Sequence, residues 1–334
     1  MSKPDIIASD TLEASNALSS IQLGLSACLA GHEVRYNGGH TQSRLCLDVL
    51  NEHFSFSTFC PEVAAGFGTP RPAMRLIGNP ESPQLVFSND DSIDLTAKLV
   101  NGFETKLLEL DHIDGYILMK NSPSCGLERI KVYQPNGHPH EIRTGGLFAL
   151  ALQKKYPLMP IEEEGRLNDP KLFDNFVVRV YAYHSFRQEV LQEPSIHKLI
   201  EFHSRYKYML MAHNQTQYRQ LGRLLGLPKK LPLGELTDTY FKGFMQALGK
   251  PASKQNHANT LLHMLGYLKE SVPSPARQHI VETIDKYREG VFPLTTPLTL
   301  LKHYLDQYGS DYIKNQRYLE PYPENMNPIR KYYQ

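Results

Sequence analysis

The pattern of apolar and polar positions divides the chain into two parts. Short apolar runs alternate with helical patterns up to about residue 165, and they predict strands at Ile21–Ala27, Phe54–Cys60, Gln84–Ser88 and Gly115–Met119. Helices are predicted between them at Ser43–His53 and Leu95–Leu110, the second with Asp91 and Ser92 as capping candidates. This alternation predicts an α/β domain with a mostly parallel sheet.

From about Asn168 onward the pattern is helical only, and it predicts an all-α domain of six or seven helices. Apolar residues recur at helical spacing in two sets: Ala276, Ile280 and Ile284, and Leu261, Leu265 and Leu268. Prolines separate the predicted helices: Pro228, Pro251, Pro273, Pro275 and Pro293. Glu162–Asn175, with its acids and proline, is predicted to link the parts. We therefore expect a first domain at 1–165, with its core at about 20–160, and a second at 166–334.

Composition narrows the class of protein. The 334 residues, 41% hydrophobic and 21% charged, suffice for two domains and exclude a disordered or fibrous chain. No apolar run is long enough to span a bilayer, and the first twenty residues carry acids where a signal peptide is basic and apolar. The sequence therefore predicts a cytoplasmic protein without a membrane partner.

The net charge of +1 conceals an asymmetry between the two parts. Residues 1–165 contain 13 Lys and Arg against 20 Asp and Glu, whereas residues 166–334 contain 23 against 15. The basic part also holds eight of the 14 histidines, which makes it a candidate for binding nucleic acid. Docking between two oppositely charged domains explains the same split, and charge alone does not separate the two interpretations.

Three of the four cysteines follow predicted strands. Cys28 ends IQLGLSAC, Cys60 ends FSFSTFC, and Cys125 follows GYILMKNSPS. Because the carboxyl ends of parallel strands share one edge of a sheet, these thiols are expected to converge there, which suggests a metal or cluster site. The lack of a close pair disfavours zinc, whereas an iron–sulfur cubane accepts ligands from distant loops. Ordinary buried thiols remain the alternative, and Cys46, in mid-helix, is interpreted in that way.

Three segments resemble a known family. Ser26–His40 (SACLAGHEVRYNGGH), Phe59–Pro72 (FCPEVAAGFGTPRP) and Leu118–Gly126 (LMKNSPSCG) resemble the thiouracil desulfidases, TudS, over roughly residues 20–165. The remainder is similar to the helical domain fused to that domain in RudS, the tRNA 4-thiouridine desulfidases, chiefly in Phe202–Gly222 and Asn256–Lys269. The whole chain thus resembles RudS.

The resemblance implies a [4Fe-4S] cluster with three cysteine ligands, Cys28, Cys60 and Cys125, and one open iron. A soft thiocarbonyl sulfur binds such an iron, and the implied reaction is hydrolytic: water supplies oxygen, hydrosulfide leaves and no electron donor is needed.

The implied chemistry also needs proton transfer close to the cluster. Glu62, two residues after Cys60, is the candidate carboxylate, and the resemblance points to a catalytic serine, for which we prefer Ser124 to Ser122. Two structural alternatives stay open. An acid in a first helical turn complements the helix dipole, and the serines suit a turn.

Loops of the same segments supply candidates for binding a base, ribose or phosphate: Arg35, Tyr36, His40 and Arg71. Tyr36 suits stacking on a base, although loop aromatics more often pack against the protein. His40 is interpreted as a polar pocket residue or a helix cap and not as a fourth ligand.

Basic residues in the family-like stretches of the helical part are candidates for phosphate contacts: Arg205, Lys207, Arg219, Lys302 and Arg317. An acidic catalytic domain repels polyanionic tRNA unless a basic domain recruits the tRNA backbone. The charge split between the two parts therefore favours tRNA over a free base as the substrate. His203 and His213 are interpreted as structural histidines.

The sequence thus predicts an iron–sulfur desulfidase that converts 4-thiouridine in tRNA to uridine, with free thiouracil as a further substrate. One alternative is an RNA-binding sensor or scaffold whose cluster is structural or redox-responsive. Another is an enzyme for small thiobases whose helical domain mediates self-association. The sequence does not specify the oligomeric state or the preferred ring position.

Overall fold

The computed structural model describes residues 21–226, 231–323 and 326. Pro228 and the acidic first twenty residues, on which two expectations depended, lie outside these ranges. Within them, no helix is both long and apolar enough to cross a membrane.

Seven strands of the described residues form two sheets: β1 (Gln22–Ser26), β2 (Ser55–Phe59), β3 (Met74–Asn79), β4 (Ser82–Phe87), β5 (Gly115–Leu118), β6 (Val132–Tyr133) and β7 (Ile161–Glu163). The first sheet has the order β2-β1-β5-β7, and all of its pairs are parallel. The α/β class and three of the predicted strands are therefore confirmed. Leu23 and Leu25 of β1 are fully buried, as expected in a covered parallel sheet.

The second sheet has the order β4-β3-β6, with β3 antiparallel to β4 and parallel to β6. The predicted strand Gln84–Ser88 overlaps β4, so it lies in this sheet and not in the parallel one. β3, β6 and β7 were not predicted. β7 was missed because its two glutamates look like part of a solvated run of charges in the sequence. In the structure Glu162 and Glu163 are each only 8% exposed.

Three helices accompany the sheets: α1 (Pro61–Ala64), α2 (Thr96–Leu108) and α3 (Leu147–Lys155). α2 confirms the predicted helix at Leu95–Leu110. The predicted caps, Asp91 and Ser92, are wrong. The Asp94 carboxylate accepts the amide of Thr96, the first residue of α2, at 2.8 Å. The predicted helix at Ser43–His53 is instead a π-helical turn at Leu45–Val49 followed by a 3-10 turn, and Cys46 in it is fully buried.

The second part is all-helical in the described residues: α4 (Pro170–Phe186), α5 (Ile196–His213), α6 (Gln215–Gly226), α7 (Leu233–Ala247), α8 (Lys254–Leu265), α9 (Ser274–Arg288), α10 (Thr295–Tyr308) and the short α11 (Asp311–Lys314). Seven of them have twelve residues or more, which confirms the predicted number. Ile280 and Ile284 are fully buried, and Pro273 precedes α9 as predicted.

The prediction of a linker at Glu162–Asn175 is wrong. The segment begins within β7 and continues into α4, whose first turn is capped by the Asp169 carboxylate. α4 then packs on the sheet, and Asp114 binds His184 and Arg187 of the segment from α4 onward, each at 2.7 Å. A shared hydrophobic core therefore joins the two parts, and the boundary between residues 165 and 166 stays a prediction.

Three histidines of the helical part are partly buried and accept or donate inside the protein. Their contacts are His203 to the Tyr240 hydroxyl (3.1 Å), His213 to the Met209 carbonyl (3.0 Å) and His257 to the Tyr318 hydroxyl (2.8 Å). Burial lowers the pKa of His203 and His213 to about 4 and that of His257 to about 3. The structural interpretation of His203 and His213 is confirmed.

We expect the free energy of unfolding to fall as the pH is lowered from about 6.5 toward 4. In this window the unfolded chain protonates these histidines, whose ordinary pKa is 6.5, while the folded chain keeps them neutral. Each histidine contributes a slope of up to about 1.4 kcal/mol per pH unit. Urea unfolding followed by circular dichroism between pH 7.5 and pH 5 measures the slope.

The variant His213→Gln should remove about one histidine's share of this slope. His197→Gln is the matched control, because the His197 side chain is 88% exposed, and it should keep the slope of the original protein. A His213→Gln slope equal to that of the original protein would contradict the assignment.

Candidate functional site

The three cysteines predicted as ligands lie at the carboxyl ends of three adjacent strands. Cys28 follows β1 in a 3-10 turn, Cys60 follows β2 directly and begins α1, and Cys125 follows β5 after a loop. Because β1 lies between β2 and β5 in parallel register, the three chain segments leave the sheet side by side.

The three thiols are close enough to affect one another electrostatically. The pKa of Cys28 is raised to about 11. Burial is the main cause, and negative charge at Cys60 and Glu62 contributes in the same direction. Burial also raises the pKa of Cys60 and, well above its usual range, that of Cys125, where charges at Cys60, Glu62 and Cys28 add to the effect. Three adjacent thiolates therefore need a positively charged ligand to neutralise them.

Donor groups around the sulfurs favour the thiolate form and would also serve a metal-bound sulfur. They are the Arg35 guanidinium near Cys28, the backbone amides of Val63 and Glu62 at Cys60, and the Ser26 hydroxyl at Cys125. Such donors are what a cluster's cysteine ligands require, since hydrogen bonds to sulfur tune the metal centre.

A further buried hydroxyl, that of Tyr116 on β5, belongs to the same region. The side chain is 1% exposed, and its hydroxyl has no hydrogen-bond partner among the described residues. Burial, and then the charges of Cys125, Cys60 and Cys28, raise its pKa well above the usual range. Sequence reasoning missed Tyr116, because nothing in GYILM indicates that its hydroxyl is unsatisfied.

These residues fit an iron–sulfur cluster better than a single metal ion. No three His, Cys, Asp or Glu side chains within the described ranges are arranged to hold one ion. In a cubane, each cysteine binds a different iron, so the three sulfurs need not converge on one point. Three thiols of raised pKa, flanking donors and one unsatisfied buried hydroxyl form a donor set of this kind.

Glu62 lies beside this cluster of cysteines, in the first turn of α1. Its Oε2 accepts hydrogen bonds from Nε of Arg71 at 3.0 Å and from Nη2 of the same side chain. Its Oε1 accepts from the Ser124 hydroxyl at 2.8 Å and lies 3.4 Å from the Ser122 hydroxyl. The carboxylate thus connects the loop after β2 with the loop that carries Cys125, and it does not cap its own helix.

The two candidate serines differ in exposure and partners. Ser124 is fully buried, and its hydroxyl donates to Glu62. Ser122 is partly exposed, and its hydroxyl oxygen accepts the amides of Ser124 at 3.2 Å and Cys125 at 3.0 Å, so it also stabilises the turn. Ser122 is thus the more exposed of the two, whereas Ser124 makes the shorter hydrogen bond to Glu62. The preference for Ser124 as the catalytic serine stays a prediction.

Arg71 was predicted to bind substrate, and the structure gives it another task. Its side chain is 3% exposed, and besides Glu62 it donates to the carbonyls of Gly68 (2.8 Å) and Val34 (2.9 Å). A guanidinium whose donors are already used inside the protein holds Glu62 in place and is not available to a ligand. The prediction for Arg71 is corrected accordingly.

The other predicted substrate residues lie on the loop after Cys28. Arg35 donates to the Thr41 hydroxyl at 2.6 Å and stacks over the ring of Tyr36, which is 46% exposed. His40 is exposed, and its Nδ1 accepts the Gln42 amide at 3.3 Å. Arg35 lies close enough to Cys28 to act on it electrostatically, whereas the contact of His40 is that of a turn residue.

A cavity of about 530 Å³ adjoins the serine loop, with Pro123 in its wall. Arg75, Arg129, Lys131 and Tyr133 also line it. The buried Ile130 lines it as well, whereas Val132 is fully buried and is not among the lining residues. The result is a basic cavity within a domain whose net charge is negative, and this feature was not predicted from the sequence.

Three of the five predicted RNA contacts have partners among the described residues. Arg205 pairs with Glu189, and Lys302 lies 3.0 Å from Glu320. The amide of Arg317 donates to the carbonyl of Arg205 at 3.0 Å.

Lys207 and Arg219, in contrast, line a second cavity of about 310 Å³ together with Tyr208, Tyr218 and His263. The Lys207 ammonium lies 4.9 Å from the ring centre of Tyr208. This combination of cations and aromatic rings suits a nucleotide.

Comparisons with known proteins match both parts of the chain. Residues 23–164 match the family described as 2-thiouracil desulfurase, and residues 207–323 match a family described as a protein of unknown function, DUF1722. YbgA of Escherichia coli K12, described as uncharacterised, is 32% identical over 164 residues, which are 48% of this chain and 96% of YbgA. YbbK of Bacillus subtilis 168, also uncharacterised, is 32% identical over 117 residues, 30% of this chain and 71% of YbbK.

A solved structure, the [4Fe-4S]-dependent thiouracil desulfidase TudS, is 28% identical, with 45% of this chain and 94% of that chain covered and a TM-score of 0.34. The two family models match successive parts of the chain, and it covers more than two thirds of each of the two relatives. The chain belongs to the 2-thiouracil desulfurase family, in the form that joins a desulfidase domain to a DUF1722 helical region.

Proposed function

We propose that the protein is a [4Fe-4S]-dependent desulfidase that hydrolyses the thiocarbonyl of 4-thiouridine in tRNA, with small thiobases as further substrates. Membership of the family makes it a desulfidase, and the cluster, the hydrolytic route and the tRNA substrate are our proposal. The observation that carries the proposal is the position of the Glu62 carboxylate. It is bonded to serines of the Cys125 loop and lies next to Cys60.

Cys28, Cys60 and Cys125 would hold the cluster. When bound, a cluster with three cysteine ligands supplies an iron with an open position, which attracts the soft sulfur of a thiocarbonyl and makes it a better leaving group. The raised pKa of each thiol gives an unbound protein three neutral thiols, which must lose protons when iron binds.

Glu62 is the proton carrier of the proposed reaction. Its Oε2 is occupied by the Arg71 guanidinium, which leaves Oε1 to accept a proton from the water that attacks the thiolated ring carbon. The oxygen of that water forms the new carbonyl, and both of its protons end on the departing sulfur: the first passes through Oε1, and the second leaves the hydroxyl of the tetrahedral centre by the same route when the carbonyl forms. Thiouridine and water thus give uridine and hydrogen sulfide, without net oxidation or reduction.

The serines position this carboxylate and the substrate. Ser124 fixes Oε1 from the buried side, and the partly exposed Ser122 is placed to donate to the developing negative charge at the ring carbon. Arg71 restrains Glu62 through two donors, which reduces the reorganisation needed at the moment of proton transfer.

The two basic cavities support a nucleotide substrate over a free base. Arg129 and Lys131 line the cavity beside the serine loop, and within the described residues neither has an ion-pair partner. Lys207 and Arg219 line the cavity of the helical part. Both sites offer positive charge to phosphates, and the helical one adds tyrosine rings on which a base can stack.

Removal of any one proposed ligand should abolish cluster binding. After anaerobic reconstitution with iron and sulfide, Cys28→Ala, Cys60→Ala and Cys125→Ala should lose most of the bound iron. Cys46→Ala, which removes the fourth cysteine from the core, should keep it. Iron and acid-labile sulfide analysis provides the measurement. Equal iron loss in Cys46→Ala, or full iron content in Cys28→Ala, would overturn the ligand assignment.

Neutralising the proposed proton carrier should stop turnover without loss of the cluster. In Glu62→Gln we expect kcat to fall by about 10²- to 10⁴-fold, the usual contribution of a positioned acid–base group. The decrease of the 4-thiouridine absorbance of tRNA is followed, together with iron content. Glu104→Gln, at an exposed position of α2, is the control. A fully active Glu62→Gln enzyme with a normal cluster would refute this role.

Turnover of tRNA should weaken with ionic strength far more than turnover of free 4-thiouracil, because phosphate contacts release counterions. The plot of log kcat/KM against log salt should lose about one unit of slope in Lys207→Ala, as expected for one phosphate contact. Lys155→Ala, an exposed lysine outside both cavities, should keep the original slope. The same salt response for tRNA and free base would contradict recruitment by phosphates and favour the thiobase enzyme.

A further inference from the structure

The reaction described above leaves one polar group of the site without a task, the hydroxyl of Tyr116. The side chain is 1% exposed, and within the described part of the chain the hydroxyl has no hydrogen-bond partner. Burying a hydroxyl without a partner costs free energy, and native proteins rarely retain such a group unless a ligand, an ion or an ordered water satisfies it. The hydroxyl is therefore a buried hydrogen-bond donor without an acceptor among the described residues.

Packing alone fixes the position of the Tyr116 ring. In the parallel register of β1 and β5, Tyr116 is paired with Gly24. A Cβ at Gly24 would lie 2.2 Å from Cδ2 and 2.3 Å from Cε2 of the ring, so only glycine leaves room for it. The ring packs against Phe148 in a T-shaped arrangement, with 5.6 Å between ring centres. The chain thus holds this tyrosine in place without using its hydroxyl.

The groups that act electrostatically on this hydroxyl are sulfurs. The hydroxyl lies close enough to Cys125, Cys60 and Cys28 for each to act on it electrostatically, with Cys125 the strongest of the three. Cys125 already has the Ser26 hydroxyl as a donor, and Cys60 has the amides at the start of α1. The inorganic sulfides of a cluster held by these cysteines would present further acceptors to the same enclosed space.

We propose that Tyr116 donates its hydroxyl hydrogen to a sulfur of the cluster that Cys28, Cys60 and Cys125 hold. This inference rests on the proposed function, because the acceptor is the cluster. A hydrogen bond to sulfur withdraws negative charge from the cluster, which stabilises its reduced state and slows the loss of iron. Tyr116 is then a cofactor-binding residue, because its hydrogen-bond acceptor is a sulfur of the bound cluster.

The variant Tyr116→Phe tests the bond, since it removes the oxygen and keeps the ring that fills the space beside Gly24. On anaerobically reconstituted protein, we expect normal initial iron content, a reduction potential shifted to more negative values and iron release to a chelator about 10-fold faster. The matched control is Tyr156→Phe, because the Tyr156 hydroxyl already donates to the Leu107 carbonyl at 2.8 Å. That variant should leave the potential and iron release as in the original protein.

The cluster-free protein provides an independent measurement. There, Tyr116→Phe should raise the urea midpoint of unfolding, because it removes a buried hydroxyl without a partner, whereas Tyr156→Phe should lower it. A lowered midpoint in Tyr116→Phe would show that the hydroxyl is satisfied within the protein, and the inference would be wrong.

The outcomes also separate this inference from the proposed function. If the original enzyme binds its cluster and desulfurates tRNA, and Tyr116→Phe has the same potential and iron release, the Tyr116 bond alone is overturned. If the original protein takes up no cluster, both are overturned.

Discussion

The parallel pairing of β1 with both β2 and β5 is the constraint on which the rest of the site depends. It places the ends of three strands side by side, so that Cys28, Cys60 and Cys125 meet although they are far apart along the chain. The same pairing puts Gly24 opposite Tyr116 and makes room for its ring. A shift of β1 by one residue would exchange the side chains on its two covered faces and move Cys28 relative to Cys60 and Cys125.

The site combines two groups of side chains: soft sulfur ligands, and hard oxygen and nitrogen groups centred on Glu62. The first group consists of three sulfurs with raised pKa values, which suit iron and sulfide. The second group consists of a carboxylate held by a buried guanidinium on one oxygen and by serines on the other. In the proposed reaction, sulfur binding and proton transfer are thereby adjacent but assigned to different groups, as hydrolysis of a thiocarbonyl requires.

The sequence was informative wherever a local pattern had a direct structural consequence. The apolar runs predicted β1, β2 and β5, and the rule that ligands bind at the ends of parallel strands then brought the cysteines together. The role of Arg71 was mistaken because a loop arginine in a sequence does not show its partner, which here is a buried carboxylate nine residues earlier. Glu162–Asn175 was mistaken because acids that are buried through tertiary contacts look solvated in a sequence. Tyr116 carries no signal at all, since an unsatisfied hydroxyl is a property of the folded surroundings.

Mössbauer spectroscopy of the protein reconstituted with ⁵⁷Fe tests the central claim most directly, because it distinguishes the iron atoms of one cluster. We expect one iron of four to differ from the three cysteine-bound ones, and we expect added 4-thiouracil to change the signal of that iron alone. A spectrum in which all four irons are equivalent and unaffected by 4-thiouracil would contradict a cluster with three cysteine ligands and an open position for substrate sulfur.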